Sequence, residues 1–443
     1  MRLPSSLALV LALTSAAAEA QPPLYRVADI GSLVVGQNTF ATGLNDQGQV
    51  VGDSTIGPAG PHQGALTHAF FWSNGLMTDL FPGDNGSSSA TAINEAGKVV
   101  GYWRDTTTSP SQPFLWDGDG APTILNPFGA LPFLVTGAAN GINDADNIVG
   151  VAMTPSSPFQ SHAFRLSSPW SPGSAIDLTP TLSSPYFGST AVALNNVGDL
   201  AGTLNKPGNN ANNFDTSDSF YNSLLLDALL PAGSFEPRGI NDAGQAAGFV
   251  YGGGQPARAV VYANGFTDLA TLTSGGASRA HGINSAGHSV GTATDPSGAG
   301  HAVLWRDGAV YDLNASVPAS AGVVLTEARG INDPGQIVAW GHGASMPSPF
   351  RSFLLTPVSP SDAVSDLITF IEGLGLVHGI ENSLTAKLRN AQAALQAGDT
   401  AGACDLLAAF INEVEAQAGK KIDIDDAAVA IADATRVQVA LGC

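Results

Sequence analysis

Apolar and polar positions alternate along most of this chain in short runs, broken at close intervals by Gly, Asn and Asp. The clearest run is Leu44-Asn45-Asp46-Gln47-Gly48-Gln49-Val50-Val51-Gly52. Asn and Asp bond their own backbone in turns, and Gly accepts positive φ without a Cβ penalty. The β-branched residues that follow, closed by a second Gly, predict a strand, so the phrase predicts a hairpin. It returns as Ile93-Asn94-Glu95-Ala96-Gly97-Lys98-Val99-Val100-Gly101, and its Asn recurs at Asn143, Asn195, Asn241, Asn284 and Asn332. The seven copies are separated by 49, 49, 52, 46, 43 and 48 residues. A period in this range marks a repeat architecture.

Two further phrases recur in fixed order. One opens with His or Arg and is apolar or aromatic: His68-Ala-Phe-Phe-Trp72, His162-Ala-Phe-Arg-Leu166, Arg258-Ala-Val-Val-Tyr262, His301-Ala-Val-Leu-Trp305 and Arg351-Ser-Phe-Leu-Leu355, with a shorter Pro113-Phe-Leu-Trp116. The other is Asp-Leu, at Asp79, Asp177, Asp268 and Asp312. Each repeat thus holds four strand-sized pieces, as a propeller blade does. The last repeat has no Asp-Leu strand, while the N-terminus carries one, residues 25–30, with no blade before it. That phase shift predicts a mainly β fold, a seven-bladed β-propeller over residues 21–357 whose N-terminal strand closes the last blade and leaves no open edge. The strand before each Asn supports it. Four residues before the Asn stand six Ala and one Pro, and two before it only Gly or Ala. Strands that converge on an axis need small side chains.

Blade four is irregular, with a polar run over 205–219 (Asn209, Asn210, Asn212, Asn213) that predicts a mobile surface loop. After a linker at 358–362, apolar residues recur at helical spacing over 363–443. Val364, Leu367, Ile368 and Ile371 begin the series, and Asp399 and Asp423 stand where N-caps belong. The expectation is a four-helix module.

Composition narrows the functional classes. The formal net charge is −20, which disfavours phosphate backbones and anionic lipid heads, so neither nucleic-acid binding nor membrane insertion is expected. Met1-Arg2, the apolar run 7–13 and Ala18-Glu19-Ala20 read as a secretory signal peptide over residues 1–20, hence a secreted, extracellular or periplasmic protein. The two cysteines, Cys404 and Cys443, then favour a disulfide over a metal site. Closing a loop of about forty residues stabilises by roughly 4 kcal/mol in the chain-entropy account.

With its hairpin phrase and His-Ala-Phe five-mers, the segment 24–357 resembles the bacterial extracellular HAF repeat. His-Ala opens the five-mer in blades one, three and six and is missing from two, four, five and seven. The tail, with Ser383-Leu384-x-x-Lys387-Leu388-x-x-Ala391 and Phe410-Ile411-x-x-Val414 before Gly419-Lys420, is similar to FIMAH domains. That resemblance implies a non-catalytic C-terminal module of a secreted bacterial protein. Neither family supplies a catalytic residue.

Candidate chemistry is sparse. His68, His162 and His301 sit at equivalent places far apart round the ring and read as packing. The Asn-Asp turns lack the spaced acidic set of a calcium loop. Asp423, Asp425 and Asp426 read as helix caps. No zinc-protease helix or phosphate loop occurs, and no metal, cofactor or catalytic residue is assigned. One register stands out. Three residues before the Asn the copies read Thr42, Thr91, Asn140, Val192, Arg238, His281 and Arg329, with the three basic ones in consecutive blades. Arg238, His281 and Arg329 are therefore the candidate ligand-binding arc, for an anion or a carboxylated sugar. The competing reading pairs them with neighbouring carbonyls or with Glu236 and Glu327. The expected function is binding of an extracellular protein or glycan without catalysis. The alternative is a polysaccharide lyase or glycosidase, disfavoured because no carboxylate pair is expected at an equivalent inner register.

Overall fold

The computed structural model describes residues 21–57, 65–105, 110–129, 136–154, 160–179, 188–205, 217–344 and 346–443. Seven four-stranded antiparallel sheets form the blades of a propeller, six of them built from consecutive strands. The seventh runs Val323–Ile331, Ile337–Gly343, Met346–Pro357 and then Tyr25–Asp29. The N-terminal strand is its outer edge, in register from Tyr25 opposite Pro357 to Asp29 opposite Phe353. The predicted signal peptide lies outside the described residues. So does the centre of the polar run in blade four, residues 206–216, which is flanked by the strands Leu200–Asn205 and Ser217–Tyr221.

The repeated Asn is the joint between blades. Asn45 Nδ2 donates to the Asn94 carbonyl (3.1 Å), Asn94 to Asn143 (3.2 Å), Asn143 to Asn195 (3.0 Å) and Asn195 to Asn241 (2.9 Å). Asn241 then donates to Asn284 (2.9 Å), Asn284 to Asn332 (3.1 Å) and Asn332 back to Asn45 (2.9 Å). This is a closed head-to-tail ring of seven bonds. Each side-chain oxygen meanwhile accepts the backbone N–H four residues on, as Asn45 Oδ1 does from Gln49 (3.0 Å), which tightens its own turn. All seven asparagines are buried. In the first turn Gly48 has φ of 72°, as the tight reversal requires. The closing Gly52 faces the inner strand so closely that a Cβ would lie 2.1 Å from the Phe40 carbonyl oxygen.

The His and Asp phrases form a second, outer clasp. The Nδ1 atoms of His68, His162 and His301 lie 2.9, 2.7 and 2.7 Å from carboxyl oxygens of Asp79, Asp177 and Asp312 on the adjoining strand. Arg258 takes the same place against Asp268, and Arg351 pairs with Asp29 at 2.6 Å. The last pair places the N-terminal strand in the slot that Asp-Leu fills elsewhere. It also explains why His-Ala-Phe is dispensable in blades five and seven: Arg performs the pairing.

The tail forms helices Pro360–Gly373, His378–Gln396, Thr400–Gln417 and Ile424–Leu441. Ser359 and Asp362 cap the first reciprocally, so the helix begins inside the expected linker. Asp399 and Asp423 cap the third and fourth. Cys404 and Cys443 are bonded, with Cα atoms 5.9 Å apart, and join these two helices. No described helix is long and apolar enough to cross a membrane. The module sits on the closure seam. Leu24, just before the closing strand, is buried in the helical core, and its carbonyl accepts from Val358 N (2.9 Å). Arg26 grips Asp366 with two bonds of 3.0 and 2.7 Å, and buried Asp433 accepts from the Ala319 and Ser320 N–H groups.

Asn143→Asp keeps the shape but replaces the donor to Asn195 with a buried charge facing a carbonyl. It should cost on the order of 3 kcal/mol in a denaturant melt. Deleting residues 25–31 should lower the melting temperature far more than removing part of residues 206–216 does.

Candidate functional site

The innermost strand of every blade slips register by one residue at the same place, between Ala41 and Gly43 in blade one and at the equivalent positions in the other six. The extra residue of each bulge is the one three before the Asn, so the register singled out in the sequence is a ring of bulges. A bulge leaves its residue outside the ladder and re-aims the side chain. In blades one to three that side chain bonds the next blade: Thr42 Oγ1 to the Ala90 carbonyl (2.8 Å), Thr91 Oγ1 to Ala139 (2.7 Å) and Asn140 Nδ2 to Ala191 (2.8 Å). Val192 has no polar atom to offer. The Ala41 carbonyl, which closes the circle from blade seven, is taken by Trp340 Nε1 (2.7 Å).

Blades five to seven use the register differently. Arg238 bonds Glu236 and lies over the Phe249 ring, 5.6 Å from its centroid. Arg329 bonds Glu327 (2.6 Å) and lies over Trp340 at 4.5 Å. His281 is 7% exposed, with Nε2 3.0 Å from Glu327 Oε1. Neither ring nitrogen makes an aligned hydrogen bond, so the two groups are in close polar contact. The arginines therefore pair within their own strands and bridge no blade. Of the three, Arg238 lines the central cavity of about 250 Å³, beside Thr42, Thr91, Asn140 and Val192.

The residues missed in the sequence stand two positions earlier. Five before the Asn the copies read Phe40, Ser89, Ala138, Thr190, Glu236, Arg279 and Glu327. Glu236 and Glu327 do share an inner register, two blades apart, which corrects the expectation that no carboxylate pair would. Arg279 is exposed and lies over the same Phe249 ring at 5.4 Å. Among the described residues it makes no ion pair or hydrogen bond. Phe40 meets Trp340 edge-on at 5.2 Å and stacks with Phe350 at 6.4 Å. Tabulating this register beside the bulge register would have revealed the cluster.

Electrostatics separates the two mouths. At this one stand three guanidiniums and three carboxyls, Glu236, Glu327 and Asp53. Burial alone would raise Glu327, but His281 and Arg329 overcome it and hold the carboxyl at about 2. His281 is pushed below its ordinary value by burial and by Arg329 and Arg238, against Glu327. Asp53, opposite Phe40 on the second strand of blade one, accepts from Ser89 Oγ (2.8 Å), yet burial lifts it to about 6. The turn mouth is acidic. Asp46 N donates to Glu95, Glu95 N to Asp144 and Asp333 N to Asp46, which leaves Asp46, Glu95, Asp144, Asp242 and Asp333 crowning it. Among the described residues no group of three or more His, Cys, Asp or Glu is arranged to hold a metal.

No protein-family model and no curated protein matches the chain. The HAF and FIMAH resemblances thus rest on the motifs alone. Solved structures do match. A prolyl endopeptidase is 10% identical, with a TM-score of 0.46 over 74% of this chain and 51% of that one. An acylaminoacyl peptidase from Pyrococcus horikoshii is 10% identical, with 0.45 over 73% and 52%. A fucose-specific lectin from Aleuria aurantia is 9% identical, with 0.32 over 64% and 96%. The chain spans about half the length of the two peptidases. The class that the strands and their order define is a seven-bladed β-propeller with a C-terminal helical region.

The two shifted carboxyls give stability opposite pH dependences. Glu327 is depressed, so its contribution is full above about pH 4.5 and lost as pH falls toward 2. Glu327→Gln should be less stable than the parent at neutral pH and converge with it in acid. Asp53 is raised, so its contribution is full below about pH 3.8 and lost as pH rises through 6. Asp53→Asn should match the parent near pH 3.5 and exceed it above pH 7, by on the order of 1–2 kcal/mol. Thermal melts across pH 2.5–8 check both.

Proposed function

We propose that the protein is a secreted, non-catalytic binding protein whose propeller holds an anionic extracellular ligand at the arginine mouth, with the helical module as a second contact surface. The observation that carries this is Arg279, an exposed guanidinium on an aromatic face without a counter-charge among the described residues, in a chain of net charge −20. A structural arginine in so acidic a protein has carboxylates to choose from. One left open, beside the half-open Arg238, suits a ligand's anion, because the guanidinium fork matches a carboxylate bidentately. Secretion is supported by the signal-like residues 1–20 and by the disulfide. The HAF-repeat and FIMAH readings agree with it, and the His/Arg–Asp clasp gives the HAF motif a structural reason. An enzyme acting on polysaccharide is the weaker reading: Glu236 and Glu327, the carboxylate pair of the inner register, are each held by an arginine of their own strand.

Titration calorimetry of the full chain against polygalacturonate and neutral dextran tests this. Binding to the first alone is expected, weakened about tenfold by Arg279→Ala with the melting temperature unchanged. Release of unsaturated or reducing ends from the polymer would overturn the non-catalytic reading.

A further inference from the structure

The arginine mouth carries more than an anion site needs, and the surplus specifies the ligand. Resting on the anionic reading above, we infer that the mouth recognises a carboxylated sugar at the end of a glycan, a hexuronate in type, rather than a bare anion. Three kinds of group meet there. Arg279 and Arg238 flank Phe249 and offer guanidinium donors. Glu236 and Glu327 stand at the same register and, as carboxylates, only accept. For a simple anion these two are a liability, because each repels it. For a ligand whose hydroxyls donate, they are partners. Among the described residues Glu236 takes a single bond, from Arg238, so acceptor capacity remains. The third component is apolar. Phe350 is 39% exposed and stacks on Phe40, which meets Trp340 under Arg329, giving a ring face on the blade-seven side of the mouth, on which the C–H face of a pyranose packs.

The channel below decides how the sugar enters. It narrows to about 250 Å³ and is lined by the seven Leu and Ile residues that precede the ring asparagines. That volume is below the roughly 300–1,000 Å³ of pockets that take in a whole small ligand, so a polysaccharide does not thread it. Only a chain end dips into the mouth. Orientation follows from the ring's asymmetry. The bulge side chains of blades one to three already spend their donors on neighbouring carbonyls, so the carboxylate lies toward blades five and six.

Calorimetry with methyl glucuronoside, methyl glucoside and acetate on the full chain separates the possibilities. The glucuronoside should bind at least tenfold more tightly than either of the others. If acetate binds equally well, the anion site stands and the sugar assignment falls. If the glucoside binds equally well, the role of the carboxylate is overturned. If none binds, the anionic reading falls with it. Glu236→Ala sharpens the contrast: it should strengthen acetate binding several-fold while weakening the glucuronoside. Equal strengthening of both would mark a plain anion site. Arg279→Lys, which keeps the charge and loses the fork, should weaken the glucuronoside severalfold, and an unchanged affinity would refute the bidentate carboxylate contact.

Discussion

Everything in this molecule turns on seven side-chain amides. Each ring asparagine donates to the next blade's Asn carbonyl while its oxygen holds the N–H four residues on, so one side chain fixes both a turn and a blade-to-blade contact. Buried amide groups must be paired, and a ring pairs them only when it closes. A missing or extra blade would leave a buried donor and a buried acceptor without partners. The small residues of the inner strands follow from the same constraint. Blades drawn close enough for the amides to meet bring backbones together: a Cβ on Gly282 would lie 3.2 Å from the Cα of Gly330.

The ring also frees the neighbouring register. The bulge residue, three positions away, lies outside the ladder and is not needed to close the circle. Its side chain can be Thr, Asn, Val, Arg or His without breaking the blade. Three blades use it to satisfy carbonyls, and three others gather Arg238, His281 and Arg329 with Glu236, Glu327 and aromatic faces. At the opposite end the turn residues carry carboxylates that accept from one another's backbone. The two mouths of one channel thus differ in charge, arginines and carboxylates mixed at one and carboxylates crowning the other, although both belong to the same repeated phrase.

Closure of the circle is reinforced from outside. The strand that completes blade seven arrives with Leu24 buried among the tail helices, and Arg26 and Asp433 tie the same seam to the helical module. An edge strand drawn from the far end of the chain is the place where a propeller most easily opens. Here the module stands on it.

The blade count, the order of the strands and the origin of the closing strand were legible in the sequence, because hairpin chemistry and the period of the phrases are local properties that repeat seven times. The tail helices were legible for the same reason, from apolar spacing and capping aspartates. The bulge register was legible as a pattern, but its meaning was not. That the residues three before each Asn are bulges depends on pairing between strands. That Arg238 and Arg329 turn to Glu236 and Glu327 in their own strands, while His281 meets a carboxylate from the next blade, depends on how the blades abut. Arg279 carries no signal taken alone and stands out only when the residues five before each Asn are compared across the seven copies. Only the tertiary structure brings it to the Phe249 face shared with Arg238, where the shortage of counter-charge is a property of the assembled mouth and of no segment in it.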